Sequence, residues 1–314
     1  MRYVSTGSKL IDQLTGGFLC GAVNLVYGDP GTGKTTLVLQ TILANIESQN
    51  SKQRFLVIDT EGGVSRQRLL SMAVSRQIPP SVVKDRVVIY RPQDLGEQQR
   101  ILVAKLPSNI QVRGWQPALI AIDSLVTHYH KQVLRAPPSF MAVRAKELQG
   151  RLAIQLATLL RLAQQYDIPI LVTSWTRSRV GRAIRSEAPS PFHDPAASFH
   201  AFDYDVIGGR HLVYTAKLVL RTLKLPPPPN QTGTACSNQK ERKGESRSSE
   251  GKKPVKQRRR QTLPQIVQPL YALLLEKHIE QPTDRIAFLY LTEQGFVASG
   301  LPILTVAEAF RLYK

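Results

Sequence analysis

Cysteine is scarce in this 314-residue chain, and that scarcity excludes whole classes of protein. Cys20 and Cys236 lie far apart without metal-ligand or redox spacing, so neither a disulfide framework nor a thiolate metal site is expected. No apolar run approaches the ~20 residues that cross a bilayer. Residues 1–7 lack the apolar stretch of a secretion signal, so a cytoplasmic location and no membrane partner are expected. Among six histidines, His128 and His130 share one face of what reads as an extended segment, but no carboxylate or thiol completes a metal set. No Ser-His-Asp arrangement is legible either. Acidic residues are the other shortage: 23 Asp and Glu face 42 Lys and Arg, a net charge of +19. Residues 240–260 carry ten Lys or Arg against three Glu, a net +7, which leaves +12 on the rest of the chain. Basicity spread this widely implies a polyanionic partner.

What is present is a phosphate-binding pattern. Gly28-Asp29-Pro30-Gly31-Thr32-Gly33-Lys34-Thr35 has the spacing G-x-x-x-x-G-K-T. A short apolar run over 22–27 precedes it and a helix-compatible stretch from Thr36 follows. Strand, glycine-rich loop and helix in that order direct backbone N–H groups and a helix N-terminus at phosphate oxygens. Lys34 then reaches the outer phosphates and Thr35 ligates Mg²⁺. The run 118–123 ends in Asp123, the Walker B arrangement of a carboxylate at a strand tip, placed to hold the same metal. The run 55–59 leads into Thr60-Glu61-Gly62-Gly63, and a Glu there is placed to orient an attacking water opposite the terminal phosphate.

Apolar strand-like runs alternate with helical stretches from residue 20 to 225. Strands are predicted over 23–27, 55–59, 86–90, 118–123 and 168–174, and helices after Lys34 and over 66–76, 94–106 and 144–166. That alternation predicts an α/β protein with a mostly parallel central sheet covered by helices. Alternation over 212–223, with strand-like runs at 271–275 and 287–291, predicts an antiparallel C-terminal extension. The expected organisation is a core over 1–225, a disordered basic insertion over 226–262, and C-terminal strands over 263–314 that complete the core.

These motifs resemble the core of the RecA-family recombinases, and within that family the archaeal RadB group. The resemblance rests on Ser5-Thr6-Gly7, Leu14-Thr15-Gly16-Gly17, the phosphate loop, Asp59-Thr60-Glu61-Gly62-Gly63 with Arg66 and Arg68, and Ile122-Asp123-Ser124-Leu125. It continues through Asp167-Ile168-Pro169-Ile170 and Gly208-Gly209. It implies a RecA-like P-loop ATPase core, a nucleoid-associated protein using ATP and Mg²⁺, and weak hydrolysis with Glu61 and Lys34 as catalytic residues. ATP would contact Gly28 through Thr36, and Arg68 would stack on adenine. It also implies DNA, single-stranded by preference, at two loops over 127–143 and 176–210. Suitable cations there are Lys131, Arg135, Arg144, Arg177, Arg179, Arg182, Arg185 and Arg210, with Tyr129, Phe192 and Phe199 available to stack. A homo-oligomer and partnership with a recombinase or another repair protein stay open. So do two alternatives: a recombination mediator using ATP as a conformational ligand, and a KaiC-like signalling ATPase. One departure stands out. The family's Asn-Gln after the strand ending in Thr173 is here Ser174-Trp175, and an indole offers a single N–H donor in place of a carboxamide.

Overall fold

The computed structural model describes residues 1–46, 52–176, 206–225 and 269–312. Strands β1 (Tyr3–Val4) and β2 (Phe18–Leu19) form a small antiparallel pair. The main sheet contains β3 (Ala22–Gly28), β4 (Gln53–Asp59), β5 (Val87–Tyr90), β6 (Gln116–Asp123), β7 (Pro169–Ser174) and β8 (Leu218–Leu225). It also contains β9 (Leu270–Lys277), β10 (Arg285–Thr292), β11 (Gly295–Ala298) and β12 (Leu304–Thr305). Its order is β11-β10-β9-β8-β3-β7-β6-β4-β5, with β12 on β10. From β8 to β5 every pairing is parallel; from β8 to β11 every pairing is antiparallel.

Burial explains why the central strands read as continuous apolar runs. All seven residues of β3 are buried, with Val23, Leu25 and Tyr27 in one core layer and Val26 in the other. One layer receives α1 (Lys9–Thr15), α2 (Lys34–Ala44) and α3 (Arg66–Ser75); α4 (Pro80–Arg86) sends Val83 into it. The other receives α5 (Leu95–Arg100), α6 (Leu106–Val112), α7 (Thr127–Leu134), the long α8 (Met141–Tyr166) and α9 (Arg210–Thr215). The helix α10 (Val306–Leu312) packs by β10 and β12, with Ala309 buried in a third, smaller cluster.

Three sequence expectations change. The alternation over 212–223 is two elements: α9 buries Leu212 and Val213 and leaves Tyr214 70 % exposed, Ala216 is buried just past its end, and the strand begins only at Leu218. Apolar spacing across a helix-to-strand boundary imitated a period of two. The segment 127–143 is mostly helical rather than a loop, so His128 and His130 lie on α7 and not on an extended strand. The helix expected over 94–106 runs on as the π-helical Ile101–Lys105 and α6, which carries Pro107 in its first turn. Proline is tolerated in the first turn of a helix, and α6 starts afresh at Leu106 after the wider π turn.

The C-terminal strands reach back to α2. Gln40 Oε1 accepts the Phe296 backbone N–H at 2.6 Å, and Arg76 Nη2 donates to Gln294 O at 2.9 Å. Between β3 and β9 the Tyr27 hydroxyl donates to buried Glu276 at 2.6 Å, with Arg221 at 4.0 Å. Burial, aided by the Asp284 charge, raises the Glu276 carboxyl from 4.5 to about 6 against the opposing effects of Tyr27 and Arg221. The folded state therefore holds this proton more tightly than the unfolded chain, and its contribution is lost as pH rises from 4.5 to about 6. Glu276→Gln keeps an acceptor for Tyr27. It is expected to flatten that limb and add about 1–2 kcal/mol at pH 8, read as denaturant midpoints at pH 5 and pH 8.

Candidate functional site

The phosphate loop joins the C-terminal end of β3 to α2, and its geometry depends on two glycines. Gly33 caps α2 at φ 90°, and a Cβ there would drive into the Phe296 ring. A Cβ on Gly28 would collide with Thr222 of β8, so the adjoining strand closes directly against the loop. Lys34, only 7 % exposed, donates from Nζ to Gly28 O at 2.9 Å and Asp29 O at 2.8 Å. Burial lowers its pKa, while the charges of Glu61, Asp123 and Asp29 pull the other way, so three carboxylates surround one ammonium.

Parallel pairing brings the carboxylates together. Register sets Asp59 at the end of β4 beside Asp123 at the end of β6. Thr35 Oγ1 donates to Asp123 Oδ2 at 2.6 Å, and Thr173 Oγ1 of β7 donates to Oδ1 at 2.6 Å. Asp123 is 1 % exposed; burial pushes its carboxyl up and the Glu61 and Asp59 charges add to this, against the hydrogen bonds from Thr173 and Thr35. Asp59 shapes the loop that carries Glu61. It accepts from Gly62 N at 2.8 Å, Val64 N at 3.3 Å and Arg91 Nε at 3.3 Å, while Arg91 Nη2 holds Val64 O at 2.8 Å. Glu61 Oε1 accepts from Thr127 Oγ1 at 3.2 Å and from Trp175 Nε1 at 2.7 Å. Arg68 Nη2 donates to the Thr36 hydroxyl of α2, so Arg68 and Thr36 adjoin the loop together. Asp29, Pro30 and Gly31 are exposed, Thr32 is buried against Thr222, and Thr176 donates to Asp29 Oδ1.

Thus Lys34, Thr35, Glu61, Arg68 and Asp123, named from four stretches of sequence, converge on one end of the sheet. Three contributors escaped the sequence reading, Thr127, Thr173 and Arg91, and the Trp175 N–H was read there without its partner Glu61. A threonine or arginine next to a strand end carries no pattern of its own.

The cationic residues are less uniform. Lys131 is exposed on α7, Arg135 is exposed at its C-terminal cap, and Arg210 is exposed at the start of α9. Arg144 is engaged by Glu147 at 2.6 Å. Tyr129 is buried, its hydroxyl 3.5 Å from Ala145 O, because α8 packs over it; the expectation that it stacks on bases is withdrawn. His128 Nε2 donates to Pro92 O at 2.9 Å, which makes it a structural histidine. Arg177, Arg179, Arg182, Arg185, Phe192, Phe199 and the basic segment 226–262 lie outside the described residues.

A phosphate loop on the central strand, a buried Asp two strands away and an antiparallel extension define a RecA-type α/β protein. The family model described as Rad51 matches residues 1–195, and the chain belongs to that family, on its RadB-like side. It is 32 % identical over 226 residues to the DNA repair and recombination protein RadB of Thermococcus kodakarensis, covering 72 % of this chain and 85 % of that protein. The RadB protein of Pyrococcus horikoshii is 34 % identical over 170 residues, covering 54 % and 65 %. That of Methanocaldococcus jannaschii is 27 % identical over 205 residues, covering 65 % and 79 %. A solved structure described as the crystal structure of the RadB recombinase aligns over 94 % of this chain and 99 % of its own, with a TM-score of 0.59 and 26 % identity. No helix among the described residues is long and apolar enough to cross a membrane.

Proposed function

We propose that this chain is an ATP-dependent DNA-binding protein of the RecA/RadB type, acting in homologous recombination and DNA repair with slow ATP hydrolysis. The observation that carries the reading is the Thr35–Asp123 hydrogen bond at 2.6 Å beside buried Lys34. A hydroxyl and one buried carboxylate suit Mg²⁺, which binds through one or two carboxylates plus substrate phosphates. No three His, Cys, Asp or Glu residues among the described ones form a metal cage, so an all-protein metal site is not what fits. When bound, Mg²⁺ would neutralise phosphate charge. Lys34 would exchange loop carbonyls for phosphate oxygens, and Arg68 would lie over the base. Glu61 takes both described donors on Oε1, which leaves Oε2 to accept from a water.

Lys131, Arg135 and Arg210 are assigned to single-stranded DNA as backbone contacts. The test is the slope of log affinity against log salt with Mg-ATP present. Replacing all three by Ala should reduce its magnitude by about 2, since each phosphate contact on single strands contributes about 0.7. An unchanged slope would remove them from the interface.

A second reading, a recombination mediator with ATP as conformational ligand, is favoured by one observation. The single Trp175 donor is engaged by Glu61, so this position has no group left to sense a terminal phosphate. Turnover that changes less than about twofold on adding single-stranded DNA supports the mediator; a strong rise rejects it.

A further inference from the structure

Glu61 sits on an exposed turn followed by Gly62 and Gly63, and its own loop offers its side chain no restraint. The restraint comes from elsewhere in the chain. Thr127 of α7 and Trp175 just past β7 both donate to the same oxygen, Oε1, and the indole contact at 2.7 Å is the shorter. Trp175 is itself fixed from three directions. The His130 ring meets it edge-on, with centroids 5.7 Å apart and planes at 87°. Its carbonyl accepts from Ile207 N at 2.9 Å, and its neighbours are tied on both sides: Ser174 Oγ to Ile207 O at 2.7 Å, and Thr176 to Asp29 of the phosphate loop. An indole N–H is a donor only, so its short approach to a carboxylate has one sense, and the edge-on His130 ring braces it.

We infer that Trp175 is a positioning residue for Glu61, its indole N–H holding the carboxylate in one orientation opposite the phosphate loop so that turnover depends on it and ATP binding does not. The inference rests on the reading of Glu61 as the water-orienting carboxylate. Misplacing such a group by about 1 Å costs up to roughly a hundredfold in rate. Because Thr127 still holds Oε1, losing the indole donor is expected to cost less.

The role makes two separable demands. Trp175→Phe, which keeps an aromatic ring against His130 but removes the donor, should lower kcat roughly tenfold and leave KM for ATP within about twofold. In a Glu61→Gln background the same change should add nothing further to the loss. The second demand needs no nucleotide. The chain has two tryptophans, Trp115 and Trp175, so Trp115→Phe assigns the indole N–H resonances at once. The Trp175 resonance should lie downfield as a carboxylate-bonded donor and move upfield in Glu61→Ala. An indole resonance indifferent to Glu61→Ala overturns the role whatever the turnover. So does a kcat unaltered by Trp175→Phe, or a KM that rises in step with any fall in kcat. If the wild type binds ATP but its turnover ignores Glu61→Gln, the hydrolytic reading of Glu61 fails and this role fails with it. In that event the shifted indole resonance would still mark the contact, which separates the two failures.

Discussion

Replacing Lys34 by Ala is expected to lower ATP turnover by at least about a hundredfold, the scale for removing one preorganised charge from a developing phosphate transition state. The ammonium is buried, held by two loop carbonyls and ringed by Glu61, Asp123 and Asp29. A neutral methyl group removes the buried ammonium from that acidic end of the sheet, so affinity for a fluorescent ATP analogue should fall along with kcat. DNA binding measured without nucleotide should stay within about twofold of wild type, because the exposed cations of α7 and α9 belong to other elements. Turnover surviving in Lys34→Ala would show that the measured activity arises elsewhere.

Asp59→Ala should produce the largest loss of stability. Asp59 is buried and joins Gly62 N, Val64 N and the Arg91 guanidinium in one turn. Truncation strands the buried Val64 N–H at about 1–3 kcal/mol and loses the bond from exposed Gly62 at about 1 kcal/mol, while half-exposed Arg91 can turn to solvent. A loss of about 2–4 kcal/mol follows, or a Tm lower by roughly 3–8 °C at this chain length. Asp59→Asn retains one acceptor oxygen and should lose half of that or less. Urea denaturation of the three proteins measures the series; a midpoint for Asp59→Ala equal to wild type would refute the account. Turnover should fall with stability, since the same turn presents Glu61.

Much of this architecture was legible in the sequence because its signals are local. Buried parallel strands announce themselves as unbroken apolar runs, and Gly28–Thr35 carries its loop geometry in its spacing. Asp123 and Glu61 stood out because each closes or follows an apolar run, and the structure sets Asp123 at the end of β6 and Glu61 in the turn after β4. What stayed hidden depends on which strand lies beside which. Thr173 reaches Asp123 only because β7 adjoins β6, and Trp175 reaches Glu61 only because the chain leaves β7 over the β4 turn. In the sequence, Trp175 read as a missing carboxamide; the structure gives its one donor a partner. The α9 segment misled for the opposite reason, since its apolar residues satisfied two periods at once.

The bond between Gln40 and Phe296 spans 256 positions of sequence, and the Phe296 ring is also what Gly33 lies against. The phosphate loop and the strand that closes against it are therefore made far apart in time. At about 5–20 residues per second, a nascent chain waits roughly tens of seconds between making the loop and making its buttress. Nucleotide can therefore act as a late folding ligand. It meets a completed loop only after β11 has docked, so a polypeptide stalled short of that strand presents the right motif without a finished site.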